Sequence, residues 1–444
     1  MSGGGRMSSV IDTGTRTTAE TRLQLLFDPG TFRSVRSAVG DGVLSGYGRV
    51  QGRIVYAWSQ DGGYKGGSLG SAGGETIVRT IRSADEAGYP VVGFPHSGGA
   101  RLQEGIDSLA AYSAMFHAQA NARVPIITVI GGPCAGGAAY ASTLGDFTIM
   151  SGDAATMFLT GPKVVEAVTG EAISMADLGG PKVHSKNGVA HLIARDDVHA
   201  SDMVRNLLSH LPSASGEQLP LHPPSEPLPG DPAEFLPENA RQVYDVRDVI
   251  SRIADAGELL ELSPRWARNI VVGFARVEGS PVGIIANQAR HLGGCLDAPS
   301  SEKGAWFVNM CDHFRIPLIV LVDTPGYLPG KTQEEAGVLR HGASLLRAFA
   351  SATVPRVTLT IRRAYGGAHI VMNSRDLGAS LTLAWPTATI GVMGAAQAVE
   401  ILGKPELAEL AEGPAIEAAR RGQVDEVIEP RETRDRIAGV VNPQ

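Results

Sequence analysis

The sequence predicts an α/β protein of two tandem domains that share one fold, each a mostly parallel sheet covered by helices. Two observations point there. The first is an internal repeat: VPIITVIGGPCAGGAAY from Val124 returns as VPRVTLTIRRAYGGAHI from Val354, with Gly366 standing 230 positions after Gly136. Likewise PVVGFPHSGGA from Pro90 returns as PLIVLVDTPGY from Pro317, and GGSL from Gly66 returns as GGCL from Gly293, each 227 positions on. A period this long is beyond a solenoid repeat and describes a duplicated domain. The second observation is alternation, in which short β-branched runs closed by glycine or proline are separated by stretches of helical period.

In chain order, GRIVYAWSQ from Gly52, YPVVGF from Tyr89 and VPIITVIG from Val124 read as strands. Between them Glu75–Ala87 and Leu102–Ala120 carry the helical period. The second half repeats the scheme with PVGIIANQ, a helix over Ser301–Phe314, the strand IPLIVLVD, a helix over Glu334–Ala350 and the strand VPRVTLTI. Leu211–Asn239 is proline-rich without apolar period and reads as an extended linker. The expected division is a domain of residues 1–210, a linker 211–239 and a domain 240–444, with two cores of ordinary size. Helices over Ala398–Ala411 and Ala415–Arg421 should pack on the second domain.

Composition excludes several classes. A chain 43% hydrophobic and 19% charged is globular rather than disordered. A net charge of -7 leaves no footprint for nucleic acid. Cys134, Cys295 and Cys311 are too few and scattered for a disulfide framework or a zinc ribbon, and no metal site is expected. The opening MSGGGRMSSV lacks the apolar core of a signal peptide, and no apolar run reaches the length of a membrane span. The expectation is a soluble, cytoplasmic protein.

The glycine pairs carry the chemistry. Where a buried strand turns through Gly-Gly into a helix, the first peptide N–H groups have no intrahelical acceptor and sit at the positive end of the helix dipole. Such a turn suits an oxyanion. One pair alone more often serves tight packing, but matched pairs in both repeats, each followed by alanine, favour function. GGSLG at Gly66–Gly70 fits a nucleophile-elbow pattern around Ser68. Its repeat partner is GGCLD, however, and no triad is evident, so Ser68 reads as a turn residue. Neither a dinucleotide fingerprint nor a phosphate loop is present. His96 and Asp323 occupy matching strand ends and read as turn-bonding residues.

The runs HSGGARLQEG (His96–Gly105), GPCAGGAAY (Gly132–Tyr140), CLDAPSSEKGAWFV (Cys295–Val308), DTPGYLPG (Asp323–Gly330) and RRAYGGAHIVMNS (Arg362–Ser374) closely resemble the carboxyltransferase (beta) subunits of biotin-dependent acyl-CoA carboxylases. The resemblance implies two tandem crotonase-like domains, each a ββα spiral, and a homohexamer in which one chain's first domain faces its partner's second. It also implies acyl-CoA as substrate, carboxybiotin on a carrier protein as cofactor, and a separate biotin carboxylase and carrier (alpha) subunit. By motif, the oxyanion donors carry over to Gly136 and Gly137 and to Gly367 and Ala368. Ser97, Gly98, Gly99, Ala100 and Arg101, with Ala135, Gly366, His369 and Ile370, become the expected substrate contacts. The implied chemistry passes through an enolate, with both developing charges held by backbone N–H groups and no side chain needed as base. On this reading, valine at Gly137 or at Gly367 should crowd the reacting oxygens and stop the reaction without unfolding the chain.

Two departures from the family pattern stand out. His96 replaces the usual aspartate before SGGAR, and Ile370 replaces the aspartate that selects the acyl chain. A decarboxylase of malonyl or methylmalonyl thioesters, or a non-catalytic structural paralogue, are the competing readings.

Overall fold

The chain is described from a computed structural model that covers residues 19–239 and 242–442. The opening MSGGGRMSSV and the domain boundary at 240 lie outside the described residues. The first repeat contains β1 (Arg33–Val35), β2 (Val43–Val50), β3 (Arg53–Gln60), β4 (Val91–Phe94), β5 (Ile126–Ile130), β6 (Pro133–Ala135), β7 (Phe147–Ser151), β8 (Thr156–Phe158) and β9 (Leu192–Ala194). Seven of them form a sheet in the order β1-β2-β3-β4-β5-β7-β9, while β6 and β8 pair separately. β1 to β3 are antiparallel, and every pairing from β3 to β9 is parallel.

The second repeat contains β10 (Leu260–Leu262), β11 (Ile270–Val277), β12 (Ser280–Asn287), β13 (Leu318–Thr324), β14 (Arg356–Tyr365), β15 (Leu381–Ala384), β16 (Thr389–Gly391), β17 (Glu412–Pro414) and β18 (Glu426–Val427). Its order, β10-β11-β12-β13-β14-β15-β18, copies the first, antiparallel to β12 and parallel beyond. The central strands are covered on both faces, which is why LIVLVDT in β13 is buried at every position.

The duplication extends to backbone detail. Lys65–Gly67 and Leu292–Gly294 are matching 3₁₀ turns, with Gly66 at φ 64° and Gly293 at φ 61°. A Cβ on Gly67 would collide with the carbonyl of His96, and one on Gly294 with the carbonyl of Asp323. The paired glycines therefore let each turn lie against the end of its neighbouring strand.

Several helices differ from expectation, each for a local reason. The helix expected over Leu102–Ala120 begins at Ile106, because Gly105 sits at φ 56° and closes a separate 3₁₀ turn. That expected over Glu334–Ala350 is split at Gly337 (φ 74°) into Lys331–Glu335 and Val338–Ser351. Gly403 and Pro405 break the expected Ala398–Ala411 into Ala395–Leu402 and Ala408–Ala411, and β17 follows, pairing with β16. The linker wraps the second repeat: the N–H groups of His222 and Leu228 donate to Gly279 and Ser251, each at 3.0 Å.

Each repeat keeps a core of its own, around Ile77, Tyr112 and Ile130 in the first and Ile284, Leu359 and Trp385 in the second, and a further apolar cluster runs between them, from Leu23 and Phe147 to Phe274, Phe307 and Met372. At the seam the ring centroids of Phe147 and Phe274 are 6.0 Å apart, and His191 stacks on Trp306 at 4.4 Å. Strands and a helix of the two halves present large side chains to each other here, so the halves share this part of the interior.

Candidate active site

Both glycine turns form as strand–turn–helix units. β6 ends at Ala135, Gly136 turns at φ 59°, and the helix Gly137–Leu144 follows. β14 ends at Tyr365, Gly366 turns at φ 57°, and the helix Gly366–Val371 follows. Only glycine holds such φ values without strain. In the first turn the Gly136 N–H donates to the Phe158 carbonyl at 3.0 Å, and Ala139 and Tyr140 donate back to Gly136. The N–H groups of Gly137 and Ala138, and of Gly367 and Ala368, meet no acceptor among the described residues. Each turn therefore presents a pair of unpaired donors at a helix start, the geometry that stabilises an oxyanion.

The other expected contacts divide sharply. Gly366, Gly367, His369 and Ile370 line a cavity of about 670 Å³. Ile390, Gly391 and Val392 also line it, with Glu409, Leu410, the strand Glu412–Pro414, and Glu417, Arg421 and Gln423. Burial holds His369 below the ordinary imidazole range. Tyr365 lies behind the turn with its hydroxyl 2.7 Å from Thr389 Oγ1, and burial first, then the nearby Glu412, push it up to about 12. Every lining residue comes from the second repeat, so one chain does not bring its two glycine turns into a common cavity.

In the first repeat the loop Ser97–Arg101 lies beside β6, with Ser97 N–H donating to Pro133 (2.8 Å) and Ala135 N–H to Ser97 (2.9 Å). Gly98 is exposed and Ala100 half-buried, but Ser97 and Arg101 are not free to meet a ligand. Ser97 is fully buried, its hydroxyl accepting the Gly99 N–H at 3.1 Å. Arg101 is only 2% exposed and is held by Asp41, by Glu104 at 2.8 Å and by the Ser68 carbonyl at 2.7 Å. The expected ligand arginine is thus an internal brace. Spacing could not reveal this, because Asp41 is 60 residues upstream.

Ser68 is the turn residue it was read as, its hydroxyl donating to the Lys65 carbonyl at 2.8 Å. Asp323 is fully buried between Arg362 (2.9 Å) and Arg363 (3.3 Å), which fixes the end of β13 to β14 just before the second turn. The His96 ring fits between Gly62 and Gly132, where either glycine's Cβ would collide with it.

Sequence reasoning missed the cavity lining between Glu409 and Gln423, a stretch it reads as the end of one helix, a short break and the helix Ala415–Arg421. It also missed Tyr112, which packs directly behind Gly137: a Cβ there would stand 2.8 Å from the tyrosine ring.

Two matched turns thus present backbone donors at strand–helix junctions of a duplicated α/β fold. The chain belongs to the carboxyl transferase domain family, whose match covers residues 12–441. It is 44% identical to the propionyl-CoA carboxylase beta chain of Saccharopolyspora erythraea, covering 95% of this chain and 86% of that one. It is 43% identical to the methylmalonyl-CoA decarboxylase subunit alpha of Propionigenium modestum, covering 96% and 89%. Among solved structures, the hexameric transcarboxylase 12S with hydrolysed methylmalonyl-coenzyme A bound superposes at a TM-score of 0.91 with 44% identity, over 95% of this chain and 88% of that one. The fold is crotonase-like and the chain is a carboxyltransferase. Among the described residues no helix is long and apolar enough to cross a membrane.

Proposed function

We propose that this chain is the carboxyltransferase subunit of a biotin-dependent acyl-CoA carboxylase, moving a carboxyl group between a carrier-borne biotin and the α-carbon of a short acyl-CoA. The observation that carries this reading is the pair of matched turns with unpaired N–H donors. As the α-proton leaves, negative charge grows on the thioester oxygen; one turn receives that charge, and the other faces the carboxyl donor. Each is worth about 3 kcal/mol of barrier. The residues present fit the carrier group: open space at Gly367, where a Cβ would meet nothing within 4 Å, leaves a cradle beside two backbone donors. Bound there, the carboxylated group supplies the carboxyl and the base. The test is carbon dioxide fixation with a biotin carboxylase and carrier subunit across acetyl-, propionyl- and butyryl-CoA. No turnover with any of them would defeat the reading.

The likeness to a decarboxylase alpha subunit keeps the reverse direction as the second reading, because the same two oxyanion sites serve both. Release of carbon dioxide from methylmalonyl-CoA, without fixation under the same partner conditions, would favour it.

The assembly proposed is a homohexamer, like that of transcarboxylase 12S. In the single chain, Leu102, Ile106 and Val168 of the first repeat and Leu339, Val392 and Leu410 of the second are each at least 69% exposed. Exposed apolar side chains on both repeats suit a contact that sets the first turn of one chain against the second cavity of its partner. Light scattering should therefore give a hexamer. A monomer under turnover conditions would remove the shared site.

Substrate choice is assigned to Ile370, which lines the cavity and is half exposed. An apolar wall discriminates single methylenes by only about 1–3 kcal/mol, so acetyl-CoA should be used alongside propionyl- and butyryl-CoA. Ile370→Asp should narrow the preference toward propionyl-CoA. Steady-state rates for the three substrates check this, and an unchanged profile would release the position from that role.

A further inference from the structure

We propose that Tyr112 is a positioning residue for carboxyl transfer, its ring and hydroxyl together fixing the direction of the Gly137 and Ala138 N–H groups. The proposal rests on the carboxyltransferase reading above. Tyr112 lies in the helix Ile106–Ala120 and is buried. Its Cγ and Cδ1 stand 2.8 Å from where a Cβ on Gly137 would be, so the ring lies flat against the first residue of the oxyanion helix. Gly137 is therefore a glycine because of the tyrosine behind it, whereas Gly136 is one because of its φ of 59°.

The phenol oxygen reaches the other side of the turn. It is 3.2 Å from Ser97 Oγ, which also accepts the Gly99 N–H at 3.1 Å. Ser97 in turn brackets β6 through its bonds to Pro133 and Ala135. One side chain thus touches the strand entering the turn, through Ser97, and the helix leaving it, through Gly137. Burial pushes the Tyr112 phenol up to about 12, so it keeps its proton and its hydrogen bond throughout the working range.

The second repeat solves the same space differently. The position 230 residues after Tyr112 is Gly342, and a Cβ there would stand 2.8 Å from the hydroxyl of Tyr327. Tyr327 is itself the residue 227 after Ala100. Each repeat places one phenol between its strand-end loop and its covering helix, supplied from the helix in the first and from the loop in the second. In the first repeat alone the ring abuts the turn, since Gly367 has nothing within 4 Å. The first turn is rigidly backed and the second is open.

The test uses the purified full-length chain and measures carboxyl transfer from methylmalonyl-CoA to free biotin, with propionyl-CoA as the other product. Tyr112→Phe keeps the ring and should lower kcat about tenfold, because sub-ångström misdirection of a donor is felt at that scale. KM for methylmalonyl-CoA should stay within about twofold, since binding does not depend on the donors' aim. Wild-type kcat in this variant would overturn the role of the hydroxyl. Gly137→Ala should lose activity in the wild-type background through its clash with the ring, and add no further loss once Tyr112→Ala has removed that ring. Losses that multiply would show that the two residues act independently and would overturn the role of the ring. Failure of the wild-type chain to transfer carboxyl at all would instead defeat the functional reading, a distinct outcome.

Discussion

Gly367→Val is expected to lose carboxyl transfer by about 10²–10³-fold while leaving the fold intact. Gly367 follows the positive-φ residue Gly366 and has no positive φ of its own, so valine meets no backbone strain at this position. A Cβ there enters open space, and that space is the cavity beside the donors. The branched side chain would fill the cradle and screen the N–H pair from the oxygen it serves. Circular dichroism and light scattering should match wild type while turnover is lost; full activity in a folded variant would remove the second turn from the mechanism. The companion change at Gly137, expected from sequence to behave alike, does not isolate the chemistry. Its Cβ meets the Tyr112 ring at 2.8 Å, so Gly137→Val displaces core packing as well as the oxyanion site.

Lys303→Met is expected to destabilise the chain by about 3–5 kcal/mol. Lys303 is fully buried in the helix Ala298–His313, and its Nζ donates to the carbonyls of Ser263 (3.0 Å), Trp266 (2.9 Å) and Ile270 (3.0 Å). One ammonium satisfies three carbonyls of the loop that feeds β11. Methionine has similar length but no donor, which leaves the Trp266 and Ile270 carbonyls without the ammonium and Ser263 with only the Trp266 N–H at 3.1 Å. Burial pushes the lysine down to about 7, but three acceptors arrayed around one nitrogen favour the charged form that donates to each. Denaturant unfolding followed by tryptophan fluorescence should show a lower midpoint, Trp266 reporting from within the pinned loop. An unchanged midpoint would mean that water replaces the lysine at no cost.

The fold was legible because its evidence is local and repeated. Strand runs, glycine turns and helical periods recur at 227 and 230 residues, and the same φ values recur with them at Gly136 and Gly366. The helix boundaries that were missed fell at Gly105, Gly337 and Gly403, where a periodic apolar pattern continues across a residue at positive φ. Hydrophobic period reports which face is buried and does not register a backbone reversal within it.

The sequence by itself determined the two glycine turns, since glycine at a strand–helix junction is dictated by backbone torsion, a property of the residue and its immediate neighbours. It also indicated the mostly parallel, helix-covered sheet of each repeat, through the alternation of strand runs with helical periods. Only the tertiary structure decided what surrounds those turns. It turned Arg101 inward to Asp41, lined the second cavity with residues between Glu409 and Gln423, set Tyr112 behind Gly137, and joined the two cores through a third cluster that holds Phe147 and Phe274 with Trp306 packed against it. Each of those contacts joins segments whose separation in sequence carries no periodic signal. Side-chain direction is fixed by packing between elements, and packing exists only once the chain has folded.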